Sequence, residues 1–211
     1  SDRQLQARVP LSSANSISLG RLLPQMAYYA SASIGHWRRT GTPLDFVIPT
    51  GNLGNALAAI LARACGLPLG EIALATNANR VLPEFFAGAD YSPQASVATL
   101  ANAMDVGAPS NFERLRWLYP DADALRKAFK ARAVDDEAIR ATIRRGPSRY
   151  AEVFCPHTAC AVRVLEDLRE AGATGHWAVV ATAHPAKFEQ IVEPLVGHPL
   201  TPPAALADLL K

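Results

Sequence analysis

Apolar and polar residues alternate along the chain in two rhythms. From Leu22 to Trp37 small and apolar residues recur at helical spacing ("LLPQMAYYASASIGHW"), which predicts a buried or interface helix. A short strand-like run, "DFVIP" (Asp45–Pro49), leads into the polar loop "TGNLGN" and then the Ala/Leu-rich helix "ALAAILARACG", with Gly66 and Pro68 as its stop signal. The next apolar run, "EIALATN" (Glu71–Asn77), reads as a second strand. Strand, helix and strand in that order predict a parallel βαβ unit.

The middle of the chain is less regular. Residues 80–112 contain a short helical stretch ("LPEFFAGA") among Ala, Ser, Pro and Asn, as expected of loops that cover something. "NFERLRWLYP", "ADALRKAFKARA" and "DDEAIRATIRRG" read as amphipathic helices, the last with acids first and Arg and Gly at its end, the charge order a helix dipole favours. "HTACAVRVLEDLREAG" then reads as a helix, "HWAVVATAHP" as a strand and "AKFEQIVEPLVG" as a closing helix, followed by a Pro-rich tail expected to wrap the surface. The fold class is α/β, a parallel or mixed sheet flanked by helices.

Composition narrows the function classes. The 211 residues are 49% hydrophobic and 19% charged, enough for a sizeable core and typical of an ordered globular chain. A net charge of +2, without a basic stripe, gives no case for nucleic acid. No apolar segment approaches the roughly 20 residues of a membrane span. Three irregularly spaced Cys make no disulfide framework and favour a reducing cytoplasm. There is no signal-peptide pattern, and a first residue of Ser rather than Met points to a processed or trimmed polypeptide.

Three polar loops follow predicted strands: "TGNLGN", "TNANR" and "TAHPAKF". In an open α/β sheet, ligands sit beyond the carboxyl ends of the strands. Gly51 and Gly54 would let the backbone approach a ligand, and the following helix would aim free N–H groups at an anion such as phosphate. From this loop alone, a tight βα turn and an anion cradle both remain open. The loop lacks the Lys-Ser/Thr of a P-loop and the third glycine of a dinucleotide site. Upstream, Asn15, Ser16 and Arg21 in "ANSISLGRLLPQ" supply amide, hydroxyl and guanidinium donors, or simply cap a helix beside an exposed Arg. Cys155, His157 and Cys160 in "CPHTAC" lack metal-ligand spacing, and a helix opening at Pro156 is the simpler account. A Cys nucleophile with His as base is disfavoured, because residues two apart do not face each other on a helix. His184 before Pro185 reads as a site residue at a strand end or as a hydrogen-bonded corner.

Taken together, "NSISLGRLLPQ", "FVIPTGNLGNALA", "ATNANRVLPEFF", "MDVGAPSNFERL", "CPHTAC" and "ATAHPAKFEQ" run in order through nearly the whole chain, which resembles the threonine synthases. These are pyridoxal-phosphate (PLP) enzymes of fold type II, the tryptophan-synthase-β type. The resemblance implies a carbon–oxygen lyase acting on phosphate. It would convert O-phospho-L-homoserine and water to L-threonine and phosphate, the last step of threonine biosynthesis.

The same resemblance implies that Gly51, Asn52, Leu53, Gly54 and Asn55 cradle the cofactor phosphate. Asn15, Ser16 and Arg21 would grip the substrate phosphate, and Thr182 would face the pyridine nitrogen, a place that neighbouring His184 also fits. Ser110, Asn111 and Arg114 match a family segment without an assigned role. The implied division is a substrate-phosphate segment and interdomain helix over 1–40, the main PLP-binding portion over 41–197 with a helical and loop insertion at 80–150, and a tail over 198–211.

One element of the family pattern is missing. The Schiff-base lysine belongs to a Phe-Lys-Asp-type segment well upstream of the NSI motif, and none of Lys127, Lys130, Lys187 and Lys211 lies in such a segment. The resemblance is therefore to the carboxyl-terminal half, expected to be inactive alone, with the missing amino-terminal half as its partner. The alternatives are a threonine-dehydratase-like PLP lyase, which has no γ-phosphate to hold, and a catalytically dead threonine-synthase-like protein that keeps a phosphate or ligand site.

Overall fold

The structure, a computed structural model, describes residues 3–9 and 15–209. Short helix α1 (Arg3–Arg8) precedes the long helix α2 (Leu19–Thr40). The predicted βαβ unit follows as β1 (Leu44–Pro49), α3 (Gly54–Ala64) and β2 (Leu69–Thr76), with the strands parallel. Then come α4 (Val81–Phe86), a 3-10 turn at Asn102–Met104, α5 (Phe112–Leu118), α6 (Ala122–Ala128) and β3 (Lys130–Ala133). Helices α7 (Asp136–Tyr150) and α8 (Pro156–Glu170) lead to β4 (Trp177–Val179). A 3-10 turn (Pro185–Phe188), α9 (Glu189–Val196) and α10 (Ala204–Leu209) close the chain.

The sheet has strand order β3-β2-β1-β4, and every pairing is parallel. Side chains alternate across it as a strand requires. Phe46, Ile48, Ile72 and Leu74 face a core shared with Tyr29 of α2 and with α3, whereas Val47, Ala73 and Ala75 face α8. The small residues on that second face let α8 lie close, with Ala159, Cys160 and Ala161 fully buried. Parallel strands align their carboxyl ends, so the loops after β1, β2 and β4 open on one edge. No helix of the described residues is long and apolar enough to cross a membrane.

Four expectations change. "ADALRKAFKARA" is not one helix: it ends at Ala128, and Phe129 is extended (φ −140, ψ 155). Leu125 and Phe129 are buried at a helical spacing, but the period-2 pattern Lys-Ala-Arg-Ala that follows is a strand signal, and it pairs with Ala73–Thr76. The 80–150 segment thus supplies an edge strand as well as helices and loops. Helix α7 continues past Gly146 to Tyr150. Gly146 serves packing there, since a Cβ would lie 2.7 Å from the Glu152 carbonyl oxygen where the chain folds back. The strand read in "HWAVVATAHP" is only three residues long, and the tail folds into α10 after Pro202-Pro203.

Candidate active site

The loop after β1 is bracketed by two ordinary backbone bonds. Thr50 N–H donates to Ala75 O at 2.8 Å, and Leu57 N–H to Leu53 O at 2.8 Å. Between them, no acceptor among the described residues meets the N–H groups of Gly51, Asn52, Leu53, Gly54, Asn55 and Ala56. Free donors at the start of a helix, reinforced by its dipole, make an anion site.

The backbone turns on Leu53, which is left-handed (φ 62, ψ 6). That conformation costs a non-glycine residue about 1–2 kcal/mol. Leu53 tolerates it because its side chain is buried in the sheet–α3 core. The neighbouring glycines serve packing rather than ligand approach. A Cβ on Gly51 would stand 2.7 Å from Met104 Cα, and one on Gly54 would stand 3.3 Å from Ser16 Cβ.

Close approach at Gly54 brings the upstream segment to the loop. Asn52 Nδ2 donates to Ser16 Oγ at 2.6 Å. Ser16, Arg21, Gly51, Asn52, Leu53, Gly54, Asn55 and Thr182 all line one cavity of about 380 Å³. That volume suits a small ligand. Among the described residues no carboxylate lines the cavity, and Arg21 contributes a cation. Asn15 lies outside the lining; its Oδ1 accepts from Ile17 N–H at 3.2 Å, an Asx turn leading into α2. The N-cap of α2 is Ser18, without a side-chain cap bond, so Asn15 shapes the turn before the helix rather than capping it, while Ser16 and Arg21 reach the cavity.

Two further residues support the site: Tyr29, which the sequence did not single out, and His157, which it offered only as a metal ligand or a base. Tyr29, buried in α2, donates its phenolic hydrogen to Asn55 Oδ1. Burial raises the Tyr29 pKa well above that of a free phenol, which keeps it a donor. His157 lines the same cavity, and its Nε2 accepts from Ala103 N–H at 3.1 Å. Burial lowers the His157 pKa, with Lys187 acting in the same direction and Asp105 opposing it. An acceptor role at Nε2 requires the unprotonated nitrogen, so the proton of neutral His157 sits on Nδ1, which is buried without a partner among the described residues. His184 acts as a corner, its Nδ1 accepting from Ala186 N–H at 3.2 Å. Cys155 caps α8 through a sulfur that accepts from Thr158 N–H at 3.4 Å, the helix opening expected there.

A larger open depression of about 1120 Å³ adjoins the cavity at Thr182. Among the described residues its lining contains Glu152 and no Arg or Lys, so it suits an anion less well.

Maize serine racemase shares this architecture over 88% of the chain, with a TM-score of 0.54 and 12% identity. The chain has the fold of the PLP enzymes of fold type II. Closer similarity narrows that class. Residues 158–211 match the family model described as threonine synthase, C-terminal. Threonine synthase of Serratia marcescens is 38% identical over 206 residues, covering 98% of this chain and 47% of that protein. The PLP-bound threonine synthase from Brucella melitensis superposes with a TM-score of 0.88 at 30% identity, over 99% of this chain and 50% of that one. The chain is similar over nearly its whole length to threonine synthases and spans about half the length of the curated relatives it matches.

Proposed function

We propose that this chain carries the two phosphate sites of a threonine synthase, the PLP-dependent lyase that converts O-phospho-L-homoserine and water to L-threonine and phosphate. The observation that carries the reading is the acid-free cavity in which the uncommitted N–H groups of Gly51–Ala56 stand beside Ser16 and Arg21. Run together, these donors suit two anionic groups better than one.

In this reading the loop from Gly51 to Asn55 holds the cofactor phosphate through backbone N–H groups. Ser16 and Arg21 hold the substrate phosphate, Arg21 with the planar fork that suits phosphate oxygens, while Asn15 shapes the turn that presents them. Thr182, lining the cavity just after β4, would offer a neutral hydroxyl to the cofactor's pyridine nitrogen and so favour its unprotonated form. Bound PLP supplies the electron sink for the reaction, and the chain's residues supply binding and orientation. Lys127, Lys130 and Lys187 do not line the cavity. The reading therefore assigns the cofactor-anchoring lysine to sequence outside this chain. By the same reading, 1–40 is the substrate-phosphate segment with its interdomain helix, 41–197 the main PLP-binding portion and 198–211 a tail.

Titration of the 211-residue chain with PLP, followed by absorbance, and with O-phospho-L-homoserine, followed by calorimetry, tests this. Both ligands are expected to bind. Arg21→Ala is expected to weaken O-phospho-L-homoserine by roughly 10–100-fold, the range of a hydrogen bond to a charged group, while leaving PLP affinity within about threefold. A threonine-dehydratase-like lyase would lose nothing with Arg21, and a chain that binds neither ligand would overturn the reading. Alone, the chain is expected to form no threonine in a single-turnover assay, and threonine formation would refute the assignment of the lysine.

A further inference from the structure

Residues 110–114 contain a polar cluster that touches both proposed anion segments while lying outside the cavity. Asn111 is fully buried and is not among the cavity-lining residues. Its Nδ2 donates to Asn52 O at 2.9 Å and to Ser16 O at 3.3 Å. Its Oδ1 accepts from Arg114 Nη1 at 2.8 Å, which fixes which end of the amide faces the two carbonyls. The adjacent Ser110 N–H donates to Asn52 Oδ1 at 2.6 Å, so Asn52 turns its Nδ2 toward Ser16. Both donors of one buried amide are thus spent on two chain segments 36 residues apart in sequence. A buried amide with every group satisfied rigidifies what it joins.

We propose that Asn111, oriented by Arg114, is a positioning residue that sets the Ser16–Arg21 segment against the Gly51–Asn55 loop, so that the two anionic groups are held at a fixed separation. This rests on the two-phosphate reading of the cavity. Asn111 itself touches neither ligand. Removing its donors leaves the Ser16 and Asn52 carbonyls, both of partly buried residues, without this shared partner, and the segments separate to hydrate them. A carboxylate at the same place repels both carbonyls while still pairing with Arg114.

The test compares the wild-type chain with Asn111→Asp and Arg114→Lys. Amide hydrogen exchange is read by segment, and PLP and O-phospho-L-homoserine affinities are measured on the same samples. Asn111→Asp is expected to speed exchange at the hydrogen-bonded amides of Ile17, Ser18, Arg21 and Leu57 at least about tenfold, with β1 and β2 unchanged, and to weaken both ligands at least about tenfold. Arg114→Lys, which keeps one donor and the charge, is expected to fall between Asn111→Asp and wild type in both readouts. Two results overturn the proposal: exchange and both affinities within twofold of wild type, or faster exchange spread evenly through β1 and β2, which marks a general stabiliser. If the wild-type chain binds neither ligand, the two-phosphate reading fails by itself. Segment-confined exchange still supports the clip in that case, and unchanged exchange still removes it.

Discussion

Tyr29 donates its phenolic hydrogen to Asn55 Oδ1, joining the middle of α2 to the first turn of α3. The bond fixes the orientation of the amide of Asn55, a residue that lines the cavity. Tyr29 also stacks edge-on against Phe46 at 5.1 Å, so its ring is held independently of its hydroxyl. Tyr29→Phe therefore removes the donor and little else. The expected result is a stability loss of about 1 kcal/mol in urea unfolding, with PLP affinity reduced about three- to tenfold as the amide loses its preferred orientation. Unchanged affinity would place Asn55 outside the cofactor site.

Gly51→Ala addresses a different contact. The added Cβ meets the Met104 backbone at 2.7 Å, and backbone gives way less easily than a flexible side chain. Either the 102–104 turn or the 51–55 loop must shift, at a cost of about 1–3 kcal/mol in overpacking. Thermal unfolding with and without PLP checks this. The variant is expected to melt lower and to gain less from PLP than wild type.

These two contacts mark the limit of what the sequence discloses. The βαβ unit, the placement of three polar loops beyond parallel strands and the helix after Cys155 follow from local periodicity, and all are present in the structure. The reason for Gly51 is not local, because it depends on a turn about fifty residues later packing against it. Tyr29 has the same character, as its partner lies across the α2–α3 contact, and an aromatic residue on a helix is ordinarily core. Lys130–Ala133 was hidden by helix-forming residues on both sides, and only its pairing with β2 makes it a strand. The family motifs carry the remainder. They gather Ser16, Arg21 and the glycine loop at one site, whereas the turn that Asn15 forms and the clip that Asn111 forms require coordinates.

Glu166 is the centre of the contact between α7 and α8. Its side chain is 4% exposed and pairs with Arg145, with Arg149 at 3.4 Å and with Arg163 at 3.6 Å, and it accepts from the Tyr150 hydroxyl at 2.9 Å. Glu166→Gln keeps the shape and removes the charge these groups share. Breaking a fully buried pair costs about 3–5 kcal/mol, but the arginines are partly exposed and screened, so about 2 kcal/mol is expected. Burial raises the Tyr150 pKa first, and the Glu166 hydrogen bond and charge raise it further. That contribution is full below the free phenol value near 10 and is lost as pH rises through the folded-state value. Wild-type stability should therefore decline at alkaline pH, with a smaller decline in Glu166→Gln, as read by urea melts across that range.

His157 gives the opposite pH dependence. Its Nε2 must be unprotonated to accept from Ala103, and burial pulls its pKa below the ordinary value of about 6.5, aided by Lys187 and opposed by Asp105. A depressed folded-state pKa contributes stability that is present above about 6.5 and lost as pH falls through the folded value. Protonation would also release the 102–104 turn that Gly51 packs against, so the loop and the acid response are linked. His157→Gln keeps an acceptor in the ring's place without titrating. The chain has four other histidines, so the informative quantity is the difference between wild type and variant. That difference is expected to be flat above about 6.5 and to shrink or reverse between about 6.5 and 5, where carboxylates are still largely ionised. A difference that stays constant through this range would show that His157 does not change its protonation on unfolding.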